Sequence, residues 1–119
     1  MGMPLDVMLF LNACDQNVCQ ENVHLYRGLI AEEYDEFCQA VVMRDEIEQL
    51  DACMDMIWVI LGYCHMKGYN ISGAWDEVVK TNMAKADPLT GKVRRREDGK
   101  ILKPEGWKPP DMSKYLRKT

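Results

Sequence analysis

The chain has 119 residues, the usual size for one domain able to bury most of its unfolded surface around a single core. With 47% apolar and 29% charged residues it is neither disordered nor fibrous in composition, and a net charge of −4 excludes a global attraction to nucleic acid or anionic lipid. The expectation is one domain over residues 1–119, helical to about residue 86, with a flap and tail over about 87–119.

Pro4 and the L-D-V-M-L-F-L-N-A-C that follows predict a short first helix, because proline fits a first turn and Val7, Phe10 and Leu11 recur at helical spacing. Asp15 to Gln20 reads as a polar connection. From about Glu21 to Met43 a longer helix is expected, with Val23, Tyr26, Ile30, Phe37 and Val41 as its apolar stripe. Asp45 caps a third helix that runs to about Lys67 and stops at Gly68. Two long helices joined this tightly run antiparallel. A fourth helix follows, with Ser72 as its cap, Trp75, Val78, Val79 and Met83 along one side, and an end near Lys85. In the last thirty residues, Val93 to Glu97 and Lys100 to Lys103 flank Asp98-Gly99, a hairpin signal. An extended tail through Trp107-Lys108-Pro109-Pro110 completes an all-α antiparallel bundle of about four helices with a C-terminal β-hairpin flap.

The five cysteines are odd in number and form no C-x-x-C pair, so they read as reduced, small apolar residues. Asp6 interrupts the first apolar stretch before it reaches signal-peptide length, and no run approaches the roughly 20 apolar residues of a spanning helix. A cytoplasmic location, in a bacterium or a phage-infected cell, is expected. The basic residues concentrate late, as Lys92, Arg94, Arg95, Arg96, Lys100 and Lys103.

The second helix carries Glu32, Glu33 and Glu36, which at about 100° per residue share one face. Glu48, Asp51 and Asp55 on the third helix fall within roughly a 60° arc, and Ile47, Leu50, Met54, Ile57 and Leu61 form its apolar stripe. If the two helices bury apolar stripes together, both carboxylate rows reach a shared edge. So many carboxylates repel one another unless countered, and Mg²⁺, which takes oxygen ligands, is the natural counter-ion. No His/Cys set suits zinc. The plain alternative is a pair of solvated helix faces, and Glu48 has a further rival role, since Asp45-x-x-Glu48 resembles a capping box. Asp55 resists the plain alternative, because it sits within C-M-D-M-I-W-V-I, where an unpaired charge is costly.

With E-E-Y-D-E at 32–36 and D-A-C-M-D-M-I-W-V-I at 51–60, the chain resembles the MazG-like, all-α nucleoside triphosphate pyrophosphohydrolases. Glu32, Glu33, Glu36 and Asp55 match that family's pattern directly. Ala52 departs from it, standing where the common form has Glu. The stretch Glu48, Asp51, Asp55 is similar instead to a phage-associated branch, as are T-N-M-A-K at 81–85 and the K-P-E-G-W-K-P-P-D tail at 103–111.

The resemblance implies Mg²⁺-dependent hydrolysis, with Mn²⁺ as a substitute, of a nucleoside triphosphate to the monophosphate and pyrophosphate in nucleotide-pool housecleaning. It implies Glu33, Glu36, Glu48, Asp51 and Asp55 as metal ligands and Glu32 or Glu33 as the base that takes the proton of the attacking water. Asn82 and Lys85, three apart and facing the same way, are the implied nucleotide contacts; Lys85 equally suits a helix C-terminus. Arg94, Arg96, Lys103 and Trp107 are candidates for closing over the triphosphate. Trp58, Tyr63 and Trp75 are further stacking candidates, with core packing favoured for Trp58 and Trp75. His24 and His65 show no metal-ligand spacing in the sequence and read as surface or boundary residues.

Two other readings stand beside this one. The first is a phosphoribosyl-ATP pyrophosphohydrolase-like enzyme, similar in fold and chemistry. The second is a non-catalytic helical dimerisation module. Apolar surface on Trp58, Ile60, Leu61 and Trp75 exceeds what a lone helix pair covers, so a homo-oligomer, dimer or dimer of dimers, is expected.

Overall fold

Local chemistry sets the helix boundaries in the computed structural model, which describes residues 2–117. Helix α1 spans Gly2–Ala13, α2 Gln20–Val42, α3 Glu46–Lys67 and α4 Ile71–Met83. At the start of α3 the Glu48 backbone N–H donates to Asp45 Oδ1 at 3.1 Å, and at its end Gly68 takes φ 75°, the left-handed conformation that glycine adopts without a Cβ penalty. The cap of α4 is Asn70, not Ser72. Asn70 Oδ1 accepts from the Gly73 N–H at 3.0 Å, which places Ser72 inside the first turn.

Helices α2 and α3 form one long antiparallel seam. The inner face of α3 is Ala52, Val59, Gly62 and Met66, and that of α2 is Val23, Tyr26 and Ala40, all buried. Gly62 is required there, because a Cβ would run into the Tyr26 ring. Helix α1 adds Val7 and Leu11, the largest fully buried side chains among the described residues, and the Tyr26 hydroxyl donates to Gln16 Oε1 at 2.6 Å. The core therefore occupies the half of the seam that α1 covers.

This arrangement corrects the expected use of the α3 stripe. Ile47 is 81% and Leu50 64% exposed, Met54 and Ile57 are also exposed, and of the five only Leu61 packs against the core. At about 100° per residue, Asp51 and Asp55 lie on the same side of α3 as Val59, Gly62 and Met66. The carboxylates thus share the face that meets α2, which turns the apolar stripe outward.

The C-terminal residues pack along α4. The Trp107 indole N–H donates to the Thr81 carbonyl at 2.8 Å, the Asn70 N–H donates to the Tyr115 carbonyl at 2.9 Å, and the Asp111 N–H donates to Glu77 Oε2 at 3.2 Å. Strands β1 (Arg94–Arg95) and β2 (Ile101–Leu102) pair antiparallel with Arg94 opposite Leu102. They are shorter than the runs expected on either side of Asp98-Gly99. A single 3-10 turn, Ser113–Tyr115, follows.

Helix α4 and this tail form an arm, and the radius of gyration, 17.7 Å, exceeds the roughly 13–14 Å of a compact domain this size. Trp75, Val79 and Met83 stay exposed on the arm, and Trp58 is exposed on α3, so neither Trp58 nor Trp75 packs in the core. All five cysteines are free thiols.

Candidate active site

Below the core, the α2–α3 seam becomes acidic. Glu33 is one turn before Glu36 on α2, and Asp51 is one turn before Asp55 on α3, so antiparallel packing sets the two pairs across from each other. Glu33 is half-buried, but its Oε2 is sealed from solvent and has no hydrogen-bond partner. Its carboxyl is raised to about 7, first by burial, then by a hydrogen bond with Glu36, and then by the charges of Glu36, Asp55 and Asp51. Such a bond between two carboxyls requires a proton on one of them. Asp55 is also raised above the usual range, first by burial, then by the Asp51 and Glu36 charges and a hydrogen bond with Asp51.

An open cleft of about 480 Å³ lies beside these residues, lined by Glu36, Gln39, Ala40, Met43, Asp45, Glu48, Asp51 and Ala52. Glu48 is exposed at this cleft, while its backbone N–H takes the Asp45 cap. Ala52 is buried, its methyl forming part of the wall where the resembled family's common form has a carboxylate. Glu32 is exposed and is not among the groups acting on Glu33. Gln39 and Met43 went unremarked in the sequence, although their spacing of three and seven from Glu36 places them on its side of α2.

Among the described residues, no three His, Cys, Asp or Glu side chains converge into a closed ligand set for a metal ion. The donor chemistry nonetheless fits a hard cation. A sealed, unpartnered carboxylate oxygen and carboxyls that push each other towards protonation are what a divalent ion relieves, and Mg²⁺ needs only one or two carboxylates beside water and phosphate oxygens.

The basic candidates gather elsewhere. Lys85 and Lys103 both lie over the Trp107 ring, at 5.3 Å and 4.6 Å from its centroid. Arg94 pairs with Asp87 at 3.8 Å and Arg96 with Asp98 at 2.7 Å. A smaller cleft, about 280 Å³, is lined by Lys85, Asp87, Pro88, Arg94, Leu102, Pro104 and Glu105. Asn82 is exposed beside it in sequence. Among the described residues, none after Ala52 lines the acidic cleft, and no cation acts on Glu33 or Asp55. Within these same described residues, the tail packs on α4 and the hairpin does not line the acidic cleft.

Against this geometry, the model of the phosphoribosyl-ATP pyrophosphohydrolase family matches residues 14–82, more than half of the chain. The matched span holds all the candidate carboxylates and ends before Lys85 and the hairpin. No curated protein matches the chain.

Proposed function

From the premise that the chain belongs to the phosphoribosyl-ATP pyrophosphohydrolase family, we propose that it hydrolyses a nucleoside or deoxynucleoside triphosphate to the monophosphate and pyrophosphate with Mg²⁺. The observation that carries the proposal is the gathering of Glu33, Glu36, Asp51 and Asp55 on one seam, with no cation among the described residues acting on Glu33 or Asp55.

Glu33, Glu36, Asp51 and Asp55 would hold the ion, with Glu48 joining from the cleft wall. Bound there, Mg²⁺ supplies neutralisation of the phosphate oxygens and polarisation of the attacking water. Glu33 and Glu32 are the carboxylates that would accept the proton of that water. Water adds to the α-phosphorus, its proton passes to Glu33 or Glu32, and the bond to the bridging oxygen breaks to release pyrophosphate.

Asn82, Lys85, Arg94, Arg96, Lys103 and Trp107 serve the substrate from the arm. A second copy of the chain supplies the cover that one chain lacks: exposed Val42, Met43, Ile47 and Leu50 near the acidic cleft, and Trp75 and Met83 on the arm, favour a homo-oligomer. Phosphoribosyl-ATP is the second substrate reading, favoured by the family's description and sharing the same anhydride cleavage.

The test is pyrophosphate release from a panel of dNTPs, NTPs and phosphoribosyl-ATP, with Mg²⁺, with Mn²⁺ and with chelator. Turnover of a triphosphate that stops with chelator is the expected result. Turnover of phosphoribosyl-ATP alone would assign the second reading, and no metal-dependent turnover of any of them would overturn both.

A further inference from the structure

Two exposed aromatic rings on different helices touch each other. Phe10 of α1 is 49% exposed and Trp58 of α3 is 37% exposed. Their centroids are 5.5 Å apart and their planes 75° apart, an edge-to-face contact. Neither ring belongs to the core cluster of Val7, Leu11, Tyr26 and their neighbours. The pair thus forms an open corner, two flat apolar walls at near right angles, which water solvates poorly.

Position connects this corner to the carboxylates. Trp58 is seven residues beyond Asp51, two helical turns, so the two side chains stand in one file about 10 Å apart along the axis. Asp55 lies one turn from Trp58, about 4.5 Å along the same axis. That offset is of the order separating the phosphates of a nucleotide from its base. A triphosphate held at Asp51 and Asp55 with its sugar directed up α3 brings its base to Trp58.

We propose that Phe10 and Trp58 form the nucleobase platform of this enzyme, the base stacking on one ring and meeting the other at its edge. The proposal rests on the nucleotide-hydrolase reading above and adds to it the element that recognises the base. Because every base has a π-face, such a platform tolerates base identity and favours the larger purine surface.

The experiment compares dATP with inorganic tripolyphosphate, which carries the anhydride charge and no base, on the full chain and on Trp58→Ala, Trp58→Phe and Phe10→Leu. Trp58→Ala should raise KM for dATP about five- to a hundredfold, the range of one lost base stack, with kcat little changed and inhibition by tripolyphosphate unchanged. Trp58→Phe should restore most of the affinity. Quenching of tryptophan fluorescence by dATP should be seen in the parent chain, reduced in Trp58→Phe, and absent with tripolyphosphate. An unchanged KM in Trp58→Ala, an equal loss of affinity for both ligands, or a change only in oligomeric mass would overturn the platform. Should Trp58→Ala fail to fold, Trp58→Phe fluorescence and the KM of Phe10→Leu decide in its place. If the parent chain hydrolyses no nucleotide yet shows quenching that Trp58→Phe reduces, the hydrolase reading fails while the platform stands.

Discussion

Asp55 on α3 faces Glu33 on α2 closely enough that its charge helps hold the Glu33 carboxyl up at about 7. A group whose proton affinity is raised by folding contributes stability below its unfolded value, and that contribution is lost as pH rises through the folded value. For Glu33 the window runs from about 4.5 to about 7, and Asp55 shifts in the same direction. In chelator, the melting temperature should carry a downward component across that window. Mg²⁺ should raise it more above the window than below, which melting curves at several pH values will check. Equal Mg²⁺ stabilisation at both ends would place the ion elsewhere.

Asp55→Asn and Glu36→Gln should each reduce metal-dependent turnover at least about a hundredfold, as expected for loss of a charged group acting on the reacting phosphates. Each removes a repelling charge, so in chelator the variants should melt no lower than the parent. Retained turnover with ordinary Mg²⁺ dependence would exclude these carboxylates from the reaction.

Glu48 and Asp45 separate cap from site. Asp45 supplies the observed cap, accepting from the Glu48 N–H, so Asp45→Ala should cost about 1 kcal/mol of stability. Glu48→Gln keeps the backbone N–H that Asp45 uses, so it should leave stability alone and lower turnover, because the Glu48 side chain lines the acidic cleft. Denaturation curves and initial rates on the same preparations distinguish the two.

Gly62→Ala should destabilise the helix pair by about 1–3 kcal/mol, the usual range for overpacking, since its methyl would meet the Tyr26 ring. Chemical denaturation of this variant beside Gly28→Ala makes the comparison. Gly28 has open space around it, and alanine there should stabilise the helix.

Truncation after Asp87 removes Trp107 and Tyr115, both of which rest on α4. Helical circular dichroism should fall by about the share of α4, because a 13-residue helix without its packing is marginal in water. The α1–α3 unit should keep its melting transition. Undiminished helicity would show α4 to be held by contacts other than the tail.

Much was legible in the residues themselves. Period and caps placed all four helices to within a few residues, with Asp45 and Gly68 ending α3 where their chemistry requires, and Asp98-Gly99 marking the hairpin tip. These are local signals, set within a few residues along the chain. Nothing local distinguished Asn70 from Ser72 as the α4 cap, since both side chains can accept the bond and only the backbone path shows which does.

Which face of α3 meets α2 was a tertiary outcome. Helical spacing showed a carboxylate file and an apolar stripe on neighbouring sides of α3, but either can face α2 under that pattern. Packing was decided by Gly62 against Tyr26 and by Val59 and Met66 joining Val7 and Leu11. It drew Asp51 and Asp55 into the seam, left Ile47 and Leu50 in solvent, and set Lys85 and Lys103 over Trp107 instead of near the acids. The sequence by itself determined the helices and the carboxylate files, because those depend on spacing along one chain segment. Only the tertiary structure decided which charges lie together, because their proton affinities depend on residues far apart in sequence being brought within reach.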